Sequence, residues 1–350
     1  MKTANHPPIK FGKMGLLLVN LGTPNSPDAK GVRPYLKEFL SDRRVIELSS
    51  FIWQPILRGL VLNVRPRKSA KAYAKIWRKE SNESPLRYYT RQQAEKLQNL
   101  LDDDASNKLS NQVIVDWAMR YGSPSIEEKL DVLRQAGCER IAVLALYPQY
   151  SATSSASVYD SVFRALMKLR WQPAIRTASA WHDDPTYIEV LAQSAEAHLK
   201  GLDWQPEILL ASFHGLPQAY FDKGDPYHCQ CAKTARLLRE KLGLAESDFR
   251  LVFQSRFGAT KWLEPYADKM VTQLAQSGIK RIAVITPGFI SDCVETLEEI
   301  DLALNAIFRQ NGGTHFTTIP CLNDSAGGLH LLEKLARREL AGWLNSASHS

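Results

Sequence analysis

Residue 214 is a histidine at the end of an apolar run, residues 208–213, within the stretch EILLASFHGLPQAYFDKGDPYH (207–228). Gly215, Pro217, Gly224 and Pro226 then forbid regular structure for about a dozen residues. The pattern predicts a buried strand emptying into a long structured loop, with His214 the first residue past the strand. In open parallel sheets ligands sit beyond the strand carboxyl ends, so that position is suited to chemistry. A histidine that only hydrogen-bonds a turn fits the same spacing. The second candidate is TPGFISDCVETLEEID, residues 286–301. Asp292 and Glu295 have the spacing of a capping box, which accounts for those two. It does not account for Glu299, one helical turn from Glu295, or for Glu298 and Asp301, because like charges so spaced repel. A line of acids opening on a cleft suits proton or cation traffic, and a solvated acidic face is the competing reading. A histidine opposite a carboxylate pair is a borderline-hard site, suited to a divalent first-row metal held transiently and to moving protons. Three or four fixed ligands are not visible in the pattern, so metal as substrate fits better than metal as structural cofactor.

These residues need elements to position them. GLLLVN at 15–20 predicts a continuous buried strand closed by the turn-rich LGTPNSP. Helical patterns follow near 31–41, 51–63 and 85–103, then a strand at 112–119 that ends at Arg120, Tyr121 and Gly122. Helix 124–136, the strand RIAVLALYPQY, helix 156–169, a strand near 174–179 and a helix from about 185 to 199 complete a first half. The second half repeats it: ILLASFHGLP echoes LLLVNLGTP, FQSRFGAT echoes WAMRYGSP, KRIAVITPGFISD echoes ERIAVLALYPQYS, and TTIPCLND precedes a last helix near 328–343. Gly22 and Gly122 are 100 residues apart and Gly215 and Gly258 only 43, so the first half carries an insertion of about 57 residues, at about 48–104. Strands alternating with helices imply right-handed crossovers and parallel sheets. The expected architecture is α/β: two duplicated Rossmann-like halves, 14–200 and 205–350, each a four-stranded parallel sheet flanked by helices, with the site in the cleft between them. The last helix is the element placed to pack back on the first half. Neither half has a GxGxxG or GxxxxGK[ST] pattern, which weakens dinucleotide and P-loop readings.

A chain of 350 residues that is 44% hydrophobic can bury a large core. No apolar run approaches the ~20 residues of a membrane-spanning helix. The opening MKTANHPPIKFGK lacks the apolar core and cleavage site of a secretory signal, so a cytoplasmic location is expected. The cysteines at 138, 229, 231, 293 and 321 form no CxxC pair, which fits reduced thiols; Cys229 and Cys231, alternate residues of a loop, could share a metal, and two free thiols is the simpler reading. The net charge of +7 is concentrated: residues 48–79 hold Arg58, Arg65, Arg67, Lys68, Lys71, Lys75, Arg78 and Lys79 with no acid. Local basicity argues for an acidic ligand or surface at one place, not for nucleic acid coating the molecule. The mixture FIWQPILRGLVLNV followed by RPRKSAKAYAKIWRK suits a lip that touches an apolar, acid-bearing ligand or docks on an anionic membrane, although a solvated basic helix has the same composition.

The stretches LLLVNLGTP, YPQYS, SFHGLP, GDPY, QSRFG with Trp262 and FISDCVETLEEID, which follow one another in this order over about residues 14–345, resemble the ferrochelatases, enzymes that insert ferrous iron into protoporphyrin IX to make protohaem. The resemblance implies the two-domain chelatase fold with the porphyrin between the halves. It implies His214 as the active-site histidine and Glu295 as its partner across the macrocycle, both candidates for touching the metal. It makes Asp292, Glu298 and Glu299 a path for cations or protons, and Arg120, Tyr121, Tyr227 and Trp262 porphyrin-pocket residues, which could equally be packing groups. Iron is then a substrate and no resident cofactor is required. Members with a two-iron, two-sulfur cluster use a cysteine near the YPQYS loop and a cysteine-rich tail; here the loop continues as Ala152 and no cysteine follows Cys321, so that arrangement is absent and only Cys229 and Cys231 leave a different one open. Cys293 replaces a histidine common in the family. A chelatase for coproporphyrin III and a non-catalytic haem or porphyrin carrier are the rival readings; a carrier needs apolar walls but no line of acids. Partners are the porphyrin and Fe²⁺, with peripheral contact at the inner face of an anionic membrane.

Overall fold

A computed structural model describes residues 10–103, 112–256, 258 and 260–343. Residues 1–9 of the opening segment, residue 104 at the end of the insertion, Phe257 of the QSRFG motif, Ala259 and residues 344–350 lie outside the described residues. The chain begins with β1 (Lys13–Gly22), α1 (Ala29–Ser41), α2 (Ser50–Ile56), α3 (Leu62–Ile76) and α4 (Pro85–Asp102); a π-helical turn, Leu57–Val61, joins α2 to α3. It continues with β2 (Val113–Tyr121), α5 (Ile126–Gln135), β3 (Cys138–Ala145), α6 (Ser157–Leu166), β4 (Ala174–Thr177) and α7 (Pro185–Lys200). The second series is β5 (Ile208–His214), α8 (Gln218–Asp222), α9 (Tyr227–Lys241), β6 (Phe249–Gln254), α10 (Ala267–Gln276), β7 (Arg281–Ile285), a π-helical segment Glu295–Leu304, α11 (Asn305–Gln310), β8 (His315–Thr318) and α12 (Ala326–Leu340).

The strands form two four-stranded sheets of identical order, β2-β1-β3-β4 and β6-β5-β7-β8, parallel throughout. A central parallel strand is covered on both faces and reads as an unbroken apolar run. Leu16, Leu17, Leu18 and Val19 of β1 are fully buried, as are Leu210, Ala211 and Phe213 of β5. The inner faces of the two sheets share one core, in which Leu16 and Leu18 belong to the same apolar cluster as Leu209, Phe213, Trp181 and Tyr187. The outer face of each sheet has its own cluster, under α5 and α6 in one half and under α10 and the π-helical segment in the other. Helix α12 crosses back to lie on α4 and α7.

Three local features differ from the sequence expectation. β2 runs on through Arg120 and Tyr121, because β1 continues to pair with it as far as Gly22–Tyr121. β5 includes His214, whose ladder partner is Gln254, and the loop beyond it holds the short helix α8. Cys229 and Cys231 lie in α9 and not in a loop, so residues two apart do not face one another; Cys229 is exposed and Cys231 buried.

The insertion packs as a fourth apolar cluster, in which Tyr35, Leu36, Leu57 and Tyr73 gather around Tyr121. Its base is fixed by Asp42, just after α1. The Asp42 carboxylate accepts hydrogen bonds from Arg120, from the Tyr121 hydroxyl at 2.8 Å and from Ser157 Oγ at 2.6 Å. Arg120 also gives its Nε–H to Ser157 and lies over the Tyr121 ring at 4.3 Å. Burial alone raises a carboxyl pKa, but hydrogen bonds from Ser157 and the Arg44 N–H, with the Arg120 charge, hold Asp42 below its usual value. A depressed native pKa contributes stability above the unfolded-state pKa, and that contribution is lost as pH falls through the native one. Asp42→Asn is therefore expected to lower the unfolding free energy by about 3 kcal/mol at neutral pH, the cost of stranding a buried arginine. The gap from wild type should narrow below about pH 4. Urea titrations at neutral and acid pH check both; an undiminished gap in acid would exclude the carboxylate charge as its source.

Candidate active site

β5 delivers His214 to the carboxyl edge of its sheet. The ring Nδ1 lies 2.6 Å from the Gly215 carbonyl oxygen, which can only accept, so Nδ1 carries the proton and Nε2 keeps its lone pair. Gly215 is required beside it: an added Cβ would come within 2.7 Å of the Gln254 carbonyl oxygen and 3.3 Å of the Trp262 ring. Residues 216–218 and 261–263 pair across this point through Gln218 N–H to Lys261 O at 2.9 Å and Leu263 N–H to Leu216 O at 2.8 Å. Trp262, nearly buried, thus covers the backbone next to the histidine.

The link from histidine to acids is Gln254, at the end of β6. Its Oε1 accepts from Ser212 Oγ at 2.7 Å, and its Nε2 donates to the main-chain carbonyl of Glu295 at 2.8 Å. One amide therefore spans β5 and the start of the acidic segment. Ser255 follows with a left-handed backbone, φ 64°, and its hydroxyl donates to Glu299. Burial raises the Glu299 pKa, and the Glu295 charge raises it further; Ser255 and His214 act in the opposite sense. Glu299 is thus the group that feels both His214 and Glu295 electrostatically.

The four acids have four environments. Asp292 is buried, accepting from Thr296 Oγ1 at 2.9 Å and Asn323 Nδ2 at 2.6 Å, while its N–H goes to Asn323 Oδ1. The capping box is therefore not formed, because Asn323 from the β8–α12 connection takes the amide that Glu295 was expected to satisfy. Glu295 is half-buried at the first position of the π-helical segment, and the Cys293 thiol hydrogen-bonds its side chain. Burial and the Glu295 charge push that thiol well above its usual pKa, so it is neutral. Glu298 turns to the insertion and pairs with Lys75 Nζ at 2.8 Å. Glu299 borders a cavity of about 250 Å³ lined also by Gln254, Ser255, Arg256 and Asp268, the last two joined at 2.7 Å.

Tyr227 opens α9 with its N–H on Asp225 Oδ1 at 3.0 Å; its ring is buried and its hydroxyl lies near Gly288 and hydrogen-bonds Cys231. Burial raises its pKa. Arg120 and Tyr121 are engaged by Asp42 and Ser157 on the insertion side of the cleft. Between the halves, beside Glu295, is a cavity of about 10 Å³ lined by Thr23, Tyr73, Ile76, Ser84 and Cys293. Tyr35 and Tyr73 hydrogen-bond each other there, and burial pushes both phenols upward. The sequence gives Gln254, Ser255, Tyr73 and Lys75 no individual role in the site. The first two have two signals, their place in the QSRFG stretch and at the end of β6 opposite His214; the other two need the fold of the insertion.

A family model described as Ferrochelatase matches residues 13–340. Proteins of that name from Rhizobium etli and Agrobacterium fabrum are each 59% identical, over 98% and 97% of this chain and the same shares of their own. The one from Brucella ovis is 54% identical over 98% of this chain and 96% of its own. Among solved structures, SirB from Bacillus subtilis with Fe³⁺ matches with a TM-score of 0.55 at 12% identity, covering 95% of this chain and 98% of that one. The sirohydrochlorin chelatase SirB in complex with cobalt gives 0.51 at 10% identity over 93% and 95%. At such identity the last two establish the fold alone: a pair of chelatase-type halves. With the family model spanning nearly its whole length and relatives closer than half identity, the chain belongs to the ferrochelatase family.

Proposed function

We infer that this protein inserts Fe²⁺ into protoporphyrin IX to form protohaem, with 14–200 and 205–350 as the two lobes of the cleft. The reaction releases two pyrrole protons and requires iron to shed its water. The observation that carries the roles is the hydrogen bond of His214: Nδ1 is committed to Gly215, which leaves Nε2 as the nitrogen available to act as a base. Nε2 takes pyrrole protons one at a time. Glu295, held at its own carbonyl by Gln254, steers and desolvates the metal from the other side. Glu299, with its raised pKa and its 250 Å³ cavity, passes protons out or hydrated cations in. Asp292 supports this path by anchoring the start of the acidic segment, and Glu298 sets its electrostatics together with Lys75. Tyr227 and Trp262 wall the macrocycle, and Arg120 and Tyr121 brace the insertion that covers it. Binding the porphyrin bent exposes its nitrogens to the incoming ion. A carrier has no use for a locked base and a buried acid with a raised pKa, and no residue described here favours additional substrate carboxylates over protoporphyrin.

The cavity beside Glu295, about 10 Å³, is far below the roughly 300–1,000 Å³ of a small-molecule site. The cleft therefore has to open. Tyr73 and Ile76 of α3 form its movable wall, and Lys75–Glu298 is the ion pair that stretches when α3 withdraws. On the outside of the same insertion Phe51, Ile52, Leu60 and Val64 are exposed, Phe51 to 94%, beside the exposed cations Arg58, Arg67, Lys68 and Lys71. Arg65 instead turns inward toward Tyr35 and Glu299. No described helix is long and apolar enough to cross a membrane. The exposed apolar face with its cations supports peripheral docking on an anionic leaflet, where the apolar substrate partitions.

His214→Ala should lower kcat for anaerobic metal insertion by at least about 100-fold while porphyrin binding, read by fluorescence, is retained; full turnover would remove the mechanism. Lys75→Gln should speed porphyrin association about two- to fivefold in stopped flow, as expected for an exposed pair worth under about 1 kcal/mol, and abolish the salt dependence of that rate. Neutralising Arg58, Arg67, Lys68 and Lys71, each worth about 1 kcal/mol at an anionic surface, should cut co-sedimentation with anionic vesicles more than tenfold. Unchanged sedimentation would refute the docking face.

A further inference from the structure

Thr23 follows Gly22 at the end of β1, where φ is 114° and an added Cβ on Gly22 would meet the Tyr121 carbonyl oxygen at 1.8 Å. Thr23 lines the cavity beside Glu295 and is 1% exposed. Its hydroxyl is buried with no hydrogen-bond partner among the protein atoms. A buried hydroxyl left so costs about 1–3 kcal/mol. The other hydroxyls lining the same cavity are engaged: Ser84 Oγ accepts from the Arg87 N–H at 3.2 Å, and Tyr73 bonds Tyr35. The neutral thiol of Cys293 bonds Glu295 from within its own segment. Glu295 lines the same cavity, and its carboxylate has acceptor capacity left, since each carboxylate offers about four lone-pair sites. The space enclosed, about 10 Å³, is the least that holds one water molecule, and a buried water needs two or more polar partners.

We propose that one water molecule occupies this cavity, hydrogen-bonded by Thr23 of the first half and the Glu295 carboxylate of the second, and that Thr23 is a positioning residue for Glu295. The proposal rests on the reading of Glu295 as a working carboxylate. The thiol and the water then hold the carboxylate from two sides, so its orientation is set jointly by the two halves and is lost when either contact goes.

The test uses the full chain with Thr23→Val, an isostere without the hydroxyl, and Thr23→Ser, which keeps it. Crystals of the porphyrin-free protein should contain one ordered water between residues 23 and 295 in wild type and Thr23→Ser, and none in Thr23→Val. Misorienting the carboxylate should lower kcat for Zn²⁺ insertion about tenfold in Thr23→Val, with KM for porphyrin within about twofold and Thr23→Ser close to wild type. Thr23→Val should also melt below wild type, because it strands the water; a truly unpartnered hydroxyl would instead make valine the more stable residue. An empty cavity in wild-type crystals, or a Thr23→Val protein with unchanged kcat and an equal or higher melting temperature, overturns the proposal. The water is read without turnover, so a fully active Glu295→Gln variant, which would sink the role of Glu295, is distinguishable from failure at Thr23.

Discussion

The side-chain amide of Gln254 is the interaction on which the arrangement of the second half's histidine and acids depends. Parallel strands deliver residues to one edge of a sheet but fix nothing beyond it. Gln254 is the ladder partner of His214, receives Ser212 from β5 and holds the main chain of Glu295. Both of its polar ends are used inside a buried environment, where a missing partner is costly. That geometry joins two independent segments, one ending in a histidine and one starting with a carboxylate, into a single frame. On the proposed reading, the metal-handling side is then preorganised before any substrate arrives.

The insertion has a different character. Its inner surface is a small core around Tyr121, fastened at Asp42, while its outer surface exposes large apolar side chains among cations. Against the acidic segment it presents Lys75 and, electrostatically, Arg65. On the proposed reading, the same 30 or so residues that keep the chain's positive charge in one place serve as lip, wall and counter-charge. Only the wall would then have to move for a flat macrocycle to enter, because the two sheets share their inner core and cannot separate without exposing it.

Much of the architecture was legible because a central parallel strand needs a continuous apolar run. The repeats LLLVNLGTP and ILLASFHGLP marked β1 and β5, and the halves followed in the right order. His214 was legible for the same reason, to within one residue of the strand end. Local chemistry was less so. Asp292 and Glu295 matched a capping box, yet Asn323, thirty-one residues after Asp292, supplied the competing acceptor, and no window of sequence contains both. Arg120 was read as a porphyrin-pocket residue or a packing group, and its bond to Asp42, 78 residues earlier in the chain, was not legible. Gln254 and Ser255 stood in the QSRFG stretch, but nothing in the sequence showed that they bridge β5 to Glu295 and Glu299. Nor does spacing separate a helix with an i to i+5 ladder from an α-helix, since Glu295 and Glu299 stay near one face in either. Apart from that ladder, each of these concerns a polar partner distant in sequence, for which hydrophobic period carries no information.

Helix α12 is the last described element of the chain, but it rests on α4 and α7, elements made long before it. Leu331, Leu332, Leu335 and Leu340 fill a seam that belongs to the first half. During synthesis the sides of α4 and α7 that α12 covers therefore remain open until residues 326–340 have been made. The amino-terminal lobe cannot finish folding on its own schedule, and a nascent chain stalled before residue 326 would present a greasy groove to chaperones and proteases.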